Sequence, residues 1–249
     1  MLYSPLEQFN ILSLQKVYKI CMFDFSITLS TIVLLFLSLF LIILVSFLFY
    51  NKTIISFISK NLFFNFEILM DFIYKLTLDI LSEKGIRYFP IIFSTFLLIL
   101  LTNLIGLIPY SFTLTSHLII TFFLSITLFV GINIIGIKKY KFKFFSLFLP
   151  AGTSFLLSFL IIPIEIISYL FRPISLAVRL FANMMAGHTL LKVIISFSWK
   201  LVLVGSILYL VPAGLLVLLM FLEFSVACIQ AYVFTILTIL YLNDALNLH

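Results

Sequence analysis

Glu165, Arg172, Arg179, His188, Lys192 and Glu223 all lie inside long apolar stretches, together with the amides Asn183 and Gln230. An ionisable group at the centre of a bilayer costs from about 2.5 to well over 10 kcal/mol, so each of these side chains needs a purpose. Their types limit the chemistry. A histidine and a carboxylate can exchange protons, whereas an arginine cannot give its proton up and must instead hold an anion. Arg179 is flanked by Leu176, Ala177, Val178, Leu180 and Phe181, so it cannot easily reach an interface. No carboxylate of its own chain is expected at its height, which points to a carboxylate on another subunit. Spacing orders the set. Glu165, Arg172 and Arg179 stand seven apart and share one helix face with Leu176 and Asn183. His188 lies nine residues past Arg179 and points roughly 180° away. Glu223 and Gln230, again seven apart, share a face.

If the two stretches form an antiparallel hairpin, residues whose numbers add to one total lie at equal height. Arg179 with Gln230, His188 with Glu223, and Glu165 with Asp244 give the same total within two. Polar groups are therefore expected at three levels about a single fold point near residue 205. Lys192 and Lys200 read as snorkelling anchors near that turn. Arg172, just before Pro173, reads either as an anchor or as a buried cation. Gln230 taken alone reads as a helix–helix hydrogen-bonding residue. His117 reads either as an interfacial residue or as a relay member.

The elements that must carry these residues follow from composition. Of 249 residues, 64% are hydrophobic and 10% charged, and the mean hydropathy is +1.32. Soluble domains have about 25% charged residues. The composition excludes a water-soluble enzyme, a secreted disulfide scaffold and a disordered tail, and leaves an integral membrane protein. Cys21 and Cys228 have no CxxC or metal spacing and read as packed thiols, so neither a metal nor a cofactor is expected. The excess of positive charge, +6, implies no nucleic acid, because four lysines (Lys138, Lys139, Lys141 and Lys143) form one run between apolar segments. Such a run anchors topology on the negative side of a membrane. No removable signal peptide is expected after Met1. The 31 Phe and abundant Ile, Leu, Lys, Tyr and Asn hint at an AT-rich organellar genome.

Along the chain, residues 1–26 form an N-terminal segment and 27–50 an uncharged span. Residues 51–87 read as an amphipathic surface helix, with Phe64, Ile68, Asp71, Lys75 and Asp79 marking its period. Spans over 88–108 and 114–137 and a basic loop over 138–149 precede the long C-terminal region. Residues 51–87 and the basic run fall on one side, and the N-terminus on the other. From Ala151 to Ser198 only Pro163 and Pro173 interrupt the apolar pattern. That length of helix is roughly 72 Å, against about 30 Å for a perpendicular span. The second stretch, 212–243, is also oversized. The expected fold is an all-α polytopic membrane protein: about five embedded helices, one amphipathic helix and a steeply tilted C-terminal hairpin over 150–198 and 212–243. The hairpin turns near Gly205–Leu210, with Pro212 in the first turn of its second arm.

The run Ser175–His188 (SLAVRLFANMMAGH) closely resembles the signature of subunit a of F-type ATP synthases. The likeness extends to Ser4–Phe9, Asn103–His117, Pro150–Gly152 and Gln230–His249, and is weakest over Ile11–Leu81. It is of the mitochondrial type, because His188 and Glu223 fill positions where many bacterial members have the reverse pair. The resemblance implies a stator subunit that makes no covalent bonds itself. Two offset half-channels would face a rotating ring of c-subunits, with Arg179 opposite the ring carboxylates. Protons would enter from the intermembrane space past His188 and Glu223, and leave to the matrix past Glu165. Asn183 and Gln230 would belong to the path, with Asp244, Asn103 and His117 as further candidates. Implied partners are the c-ring, peripheral-stalk and other membrane-sector subunits, and lipids such as cardiolipin. The implied place is the mitochondrial inner membrane, with the N-terminus towards the intermembrane space and the C-terminus towards the matrix. A secondary transporter would instead show internal repeats, and none is convincing. A structural scaffold would not need Arg179, His188 and Glu223.

Overall fold

The computed structural model of the chain describes residues 9–10, 13–15, 19–20, 23–24, 27–50, 60–81, 83–108, 113–141, 144, 155–203 and 207–247. Six α-helices account for most of these residues: α1 (Leu29–Tyr50), α2 (Lys60–Leu81), α3 (Phe89–Gly106), α4 (Leu118–Tyr140), α5 (Phe155–Leu203) and α6 (Leu210–Leu246). Two short antiparallel ladders precede them, β1 (Ser13–Gln15) with β4 (Ile27–Thr28), and β2 (Lys19–Ile20) with β3 (Phe23–Asp24). Gly85–Gly106, Leu118–Tyr140, Phe159–Leu203 and Leu210–Leu246 are each long and apolar enough to cross a bilayer. Uncharged α1, with 22 residues, reaches about 33 Å at 1.5 Å per residue. Large apolar side chains such as Phe123, Phe159 and Phe221 lie on the surface, as lipid rather than water requires.

The chain divides into two compact units. One comprises Met1–Ile42, Leu98–Thr121 and Arg179–Ala231. In it α4 opens through a 3-10 turn, Leu114–Ser116. The Thr113 hydroxyl donates to Ser116 Oγ at 2.6 Å, and Ser116 Oγ donates to the Thr113 carbonyl at 2.7 Å. These two hydroxyls close a buried turn that an apolar reading counts as the start of the span. The helix therefore begins at Leu118 rather than at 114. Pro212 sits in the first turn of α6, where its missing N–H would have no partner anyway. The turn expected near Gly205–Leu210 lies partly outside the described residues.

The other unit comprises Ile43–Leu97, Phe122–Val178 and Tyr232–His249. Helix α2 is amphipathic: Ile73, Thr77 and Leu81 are buried, while Glu67, Asp71, Lys75 and Asp79 are exposed. Tyr74 of α2 meets Phe89, the first residue of α3, edge-on at 5.5 Å, and Phe89 stacks on Phe93 of its own helix at 5.7 Å. A 3-10 turn, Glu83–Tyr88, joins them. Gly85 belongs there because a Cβ would stand 2.2 Å from Leu81 Cβ. Helix α4 runs on to Tyr140, so Lys138 and Lys139 occupy its last turn instead of a loop. Cations are favoured there by the helix carbonyls. Lys141 follows in the left-handed region, φ 51°, where helices commonly end. Helix α5 passes through Pro163 and Pro173 without a break, which membrane helices tolerate.

Candidate functional site

In the first unit, residues of α3, α5 and α6 line a partly open cavity of about 230 Å³. Apolar residues including Leu180, Met184 and Leu219 make most of its wall. Five polar side chains also line it: Asn103, Asn183, His188, Glu223 and Gln230. Helical spacing explains their convergence. Asn183 and Gly187 lie one turn apart on α5, and Glu223, Ala227 and Gln230 recur every three or four residues on α6. Residues Gly187 and Glu223 meet across the two helices. A Cβ at position 187 would stand 2.7 Å from Glu223 Oε1 and 3.0 Å from its Cδ, so only glycine leaves the carboxyl where it is.

Asn103 is buried to 1% exposure and donates from Nδ2 to the Ala227 carbonyl at 3.4 Å. Yet Asn103 Oδ1, His188 Nε2 and both Glu223 oxygens are buried with no hydrogen-bond partner among the described residues. Buried polar atoms are almost always satisfied, and an unsatisfied one costs about 1–3 kcal/mol. Four such atoms beside one cavity mark a candidate site. The space is roomy and polar enough for ordered water. A histidine and a carboxylate bordering a wettable cavity can hand protons along it.

Arg179, on α5 in the same unit, is half-buried and has no ion pair among the described residues. It is not one of the cavity's lining residues. His117, just before α4, does not line the cavity either. Lys192 is half-buried and Lys200 exposed, near the end of α5.

The remaining candidates lie in the second unit, and two of them are far better provided. Arg172 bonds Asp244 at 3.0 Å, and its guanidinium lies over the rings of Tyr169 at 5.1 Å and Tyr241 at 5.0 Å. Tyr169 in turn donates its hydroxyl to Asn133 Oδ1 and packs on Phe129 at 4.9 Å. Sequence reasoning missed this network. Equal-height arithmetic gave Asp244 to Glu165, whereas the carboxylate is held by Arg172, seven residues further along α5. A seven-residue period puts Arg172 on the Glu165 face and was the available signal. Glu165 itself is half-buried, with no ion pair among the described residues. No group of three or more metal-ligating side chains exists among the described residues.

The family model for the ATP synthase A chain matches residues 30–243. ATP synthase subunit a of Chondrus crispus is 45% identical over 253 residues, covering 99% of this chain and 97% of the relative. The subunit a proteins of Pylaiella littoralis and Marchantia polymorpha are 48% and 44% identical, each covering 99% of both chains. With six α-helices among the described residues, buried polar groups in apolar surroundings and likeness along its whole length, the chain belongs to the ATP synthase A chain family, the proton-translocating and non-catalytic membrane subunit of that enzyme.

Proposed function

We propose that His188, Glu223 and Asn103 form the entry relay of a proton path, with Asn183 and Gln230 completing its polar wall. The observation that carries this reading is the set of four buried atoms, on Asn103, His188 and Glu223, that have no partner among the described residues beside a cavity wide enough for water. Arg179 supplies the fixed cation that faces a carboxylate of the c-ring. It favours that carboxylate in its charged form and separates the entry path from the exit path. The lack of an ion pair for Arg179 among the described residues supports an external partner. Glu165 lines the exit, with Asp244 beyond it, while His117 stands at the membrane edge. Each proton crossing gains about 2.3 kcal/mol per 100 mV, which drives the ring.

The subunit sits in the mitochondrial inner membrane, with its N-terminus towards the intermembrane space and its C-terminus towards the matrix. The lysines at the end of α4 support that orientation by their excess on one side. Partners are the c-ring, the peripheral stalk, other membrane-sector subunits and membrane lipids, cardiolipin among them. Cysteines introduced at 188 and 223 test the entry path. A membrane-impermeant thiol reagent should label both from the intermembrane-space side at least tenfold faster than from the matrix. Equal or matrix-biased labelling would sink the assignment.

A further inference from the structure

A second cavity, also of about 230 Å³, opens in the other unit between α3, α4 and α6. It shares no residue with the His188–Glu223 cavity. Its walls include Ile91, Leu128, Ile132 and Leu242. Three threonines line it as well, but each hydroxyl is taken up by its own helix. Thr95 donates to the Ile92 carbonyl at 2.8 Å, Thr127 to Leu124 at 2.9 Å and Thr238 to Thr235 at 2.8 Å. A Cβ on Gly131 would meet nothing within 4 Å, so the α4 side of the cleft is open. An apolar cavity of roughly 150 Å³ already takes benzene in preference to water. This larger one calls for hydrocarbon.

One end of the cleft is cationic. On α4 the cleft face formed by Leu128, Ile132 and Ile135 continues to Lys138 and Lys139. Lys139 Nζ donates to the Leu246 carbonyl at 2.8 Å, one turn beyond Leu242, which fixes this lysine at the mouth. Lys138 is exposed beside it. Exposed Arg87 immediately precedes Tyr88, the first α3-side residue of the cleft. Asp244, on the same end of α6, is already paired with Arg172. Basic pockets between membrane helices hold anionic head groups.

We propose that this cleft binds an anionic phospholipid, with an acyl chain against Gly131 and the phosphate between Arg87 and Lys138. Neither half suffices alone: free phosphate has no use for the apolar walls, and a neutral lipid has none for the cations. The purified ATP synthase complex carrying this chain can be probed with a phosphatidylglycerol bearing a diazirine on its acyl chain. Adducts are expected on 91–95 and 127–135, and unlabelled phosphatidylglycerol should compete at least tenfold better than phosphatidylcholine. Each cation near a charged lipid surface is worth about fivefold, so Arg87→Gln with Lys138→Gln should weaken competition by about twentyfold. Gly131→Phe should fill the cleft and abolish the adducts. If Gly131→Phe prevents assembly, the double charge variant decides. Equal competition by the two lipids, adducts outside the cleft, or cross-links joining it to another subunit's helix would each overturn the proposal.

Discussion

Arg172 and Arg179 stand seven residues apart on one helix, yet they are provided for in opposite ways. Arg172 has a carboxylate at 3.0 Å and two tyrosine rings within about 5 Å. Arg179 has no ion pair among the described residues. The contrast extends to their neighbours. Around Arg172, Tyr169 finds Asn133, whereas in the unit of Arg179 both oxygens of Glu223 and Nε2 of His188 are buried without partners among the described residues. A satisfied polar network holds a fold together. An unsatisfied one is stable only if something else completes it, here a proton, water or a second subunit. Satisfaction, rather than mere burial, is what distinguishes the two arginines.

The largest effect should come from Arg179→Ala. Proton pumping by the reconstituted complex should fall at least a hundredfold, while soluble-sector ATP hydrolysis persists. Arg179→Lys should fail too, since a point charge does not replace a planar fork. Coupled synthesis at normal rate in either variant would break the comparison from one side. Gly187→Ala should cut proton flow about tenfold with little loss of stability, because the atom it displaces is the flexible end of Glu223. Adding Glu223→Asp, which shortens the obstructed side chain, should restore part of the flow. If the double variant is slower than Gly187→Ala alone, the alanine is not acting through the carboxyl.

Arg172→Ala tests the other side. It removes a half-exposed ion pair and two cation–π contacts, so the thermal midpoint of the complex should drop by the equivalent of about 1–2 kcal/mol. Pumping per assembled complex should stay within a factor of about three. Loss of pumping without loss of stability would move Arg172 into the functional class. The smallest effect belongs to Gly214→Ala on α6. Its Cβ would meet nothing within 4 Å, so the midpoint should rise by no more than about 1 kcal/mol equivalent, with flow unchanged.

How much of this was legible beforehand depends on the kind of signal. Arg179 stood out because five apolar neighbours surround it and its charge cannot be removed. The His188–Glu223 level followed from counting along two helices, and their shared cavity agrees with it. The oversized C-terminal helices were read from length, since Pro163 and Pro173 were the sole interruptions, and α5 runs through both. The Arg172–Asp244 pair is legible only through the seven-residue period that puts Arg172 on the Glu165 face, because equal-height counting ignores how far an arginine reaches along a helix. Nor could helical phase alone bring Asn103 from α3 to the Ala227 carbonyl, a contact set by tertiary packing. The start of α4 was misjudged because Thr113 and Ser116 spend their hydroxyls on a turn that hydropathy does not register.

The bare Cα of Gly187 has a consequence for inheritance. Because Glu223 occupies the space that any side chain at 187 would need, the two positions cannot drift independently. A lineage that acquired a side chain at 187 before residue 223 had been shortened or turned aside would pass through an intermediate with slowed proton flow. Exchanging the roles of His188 and Glu223 would face the same queue, because whatever replaces the glutamate decides whether 187 is released. The order in which these residues can change is thus written into a single gap between two helices.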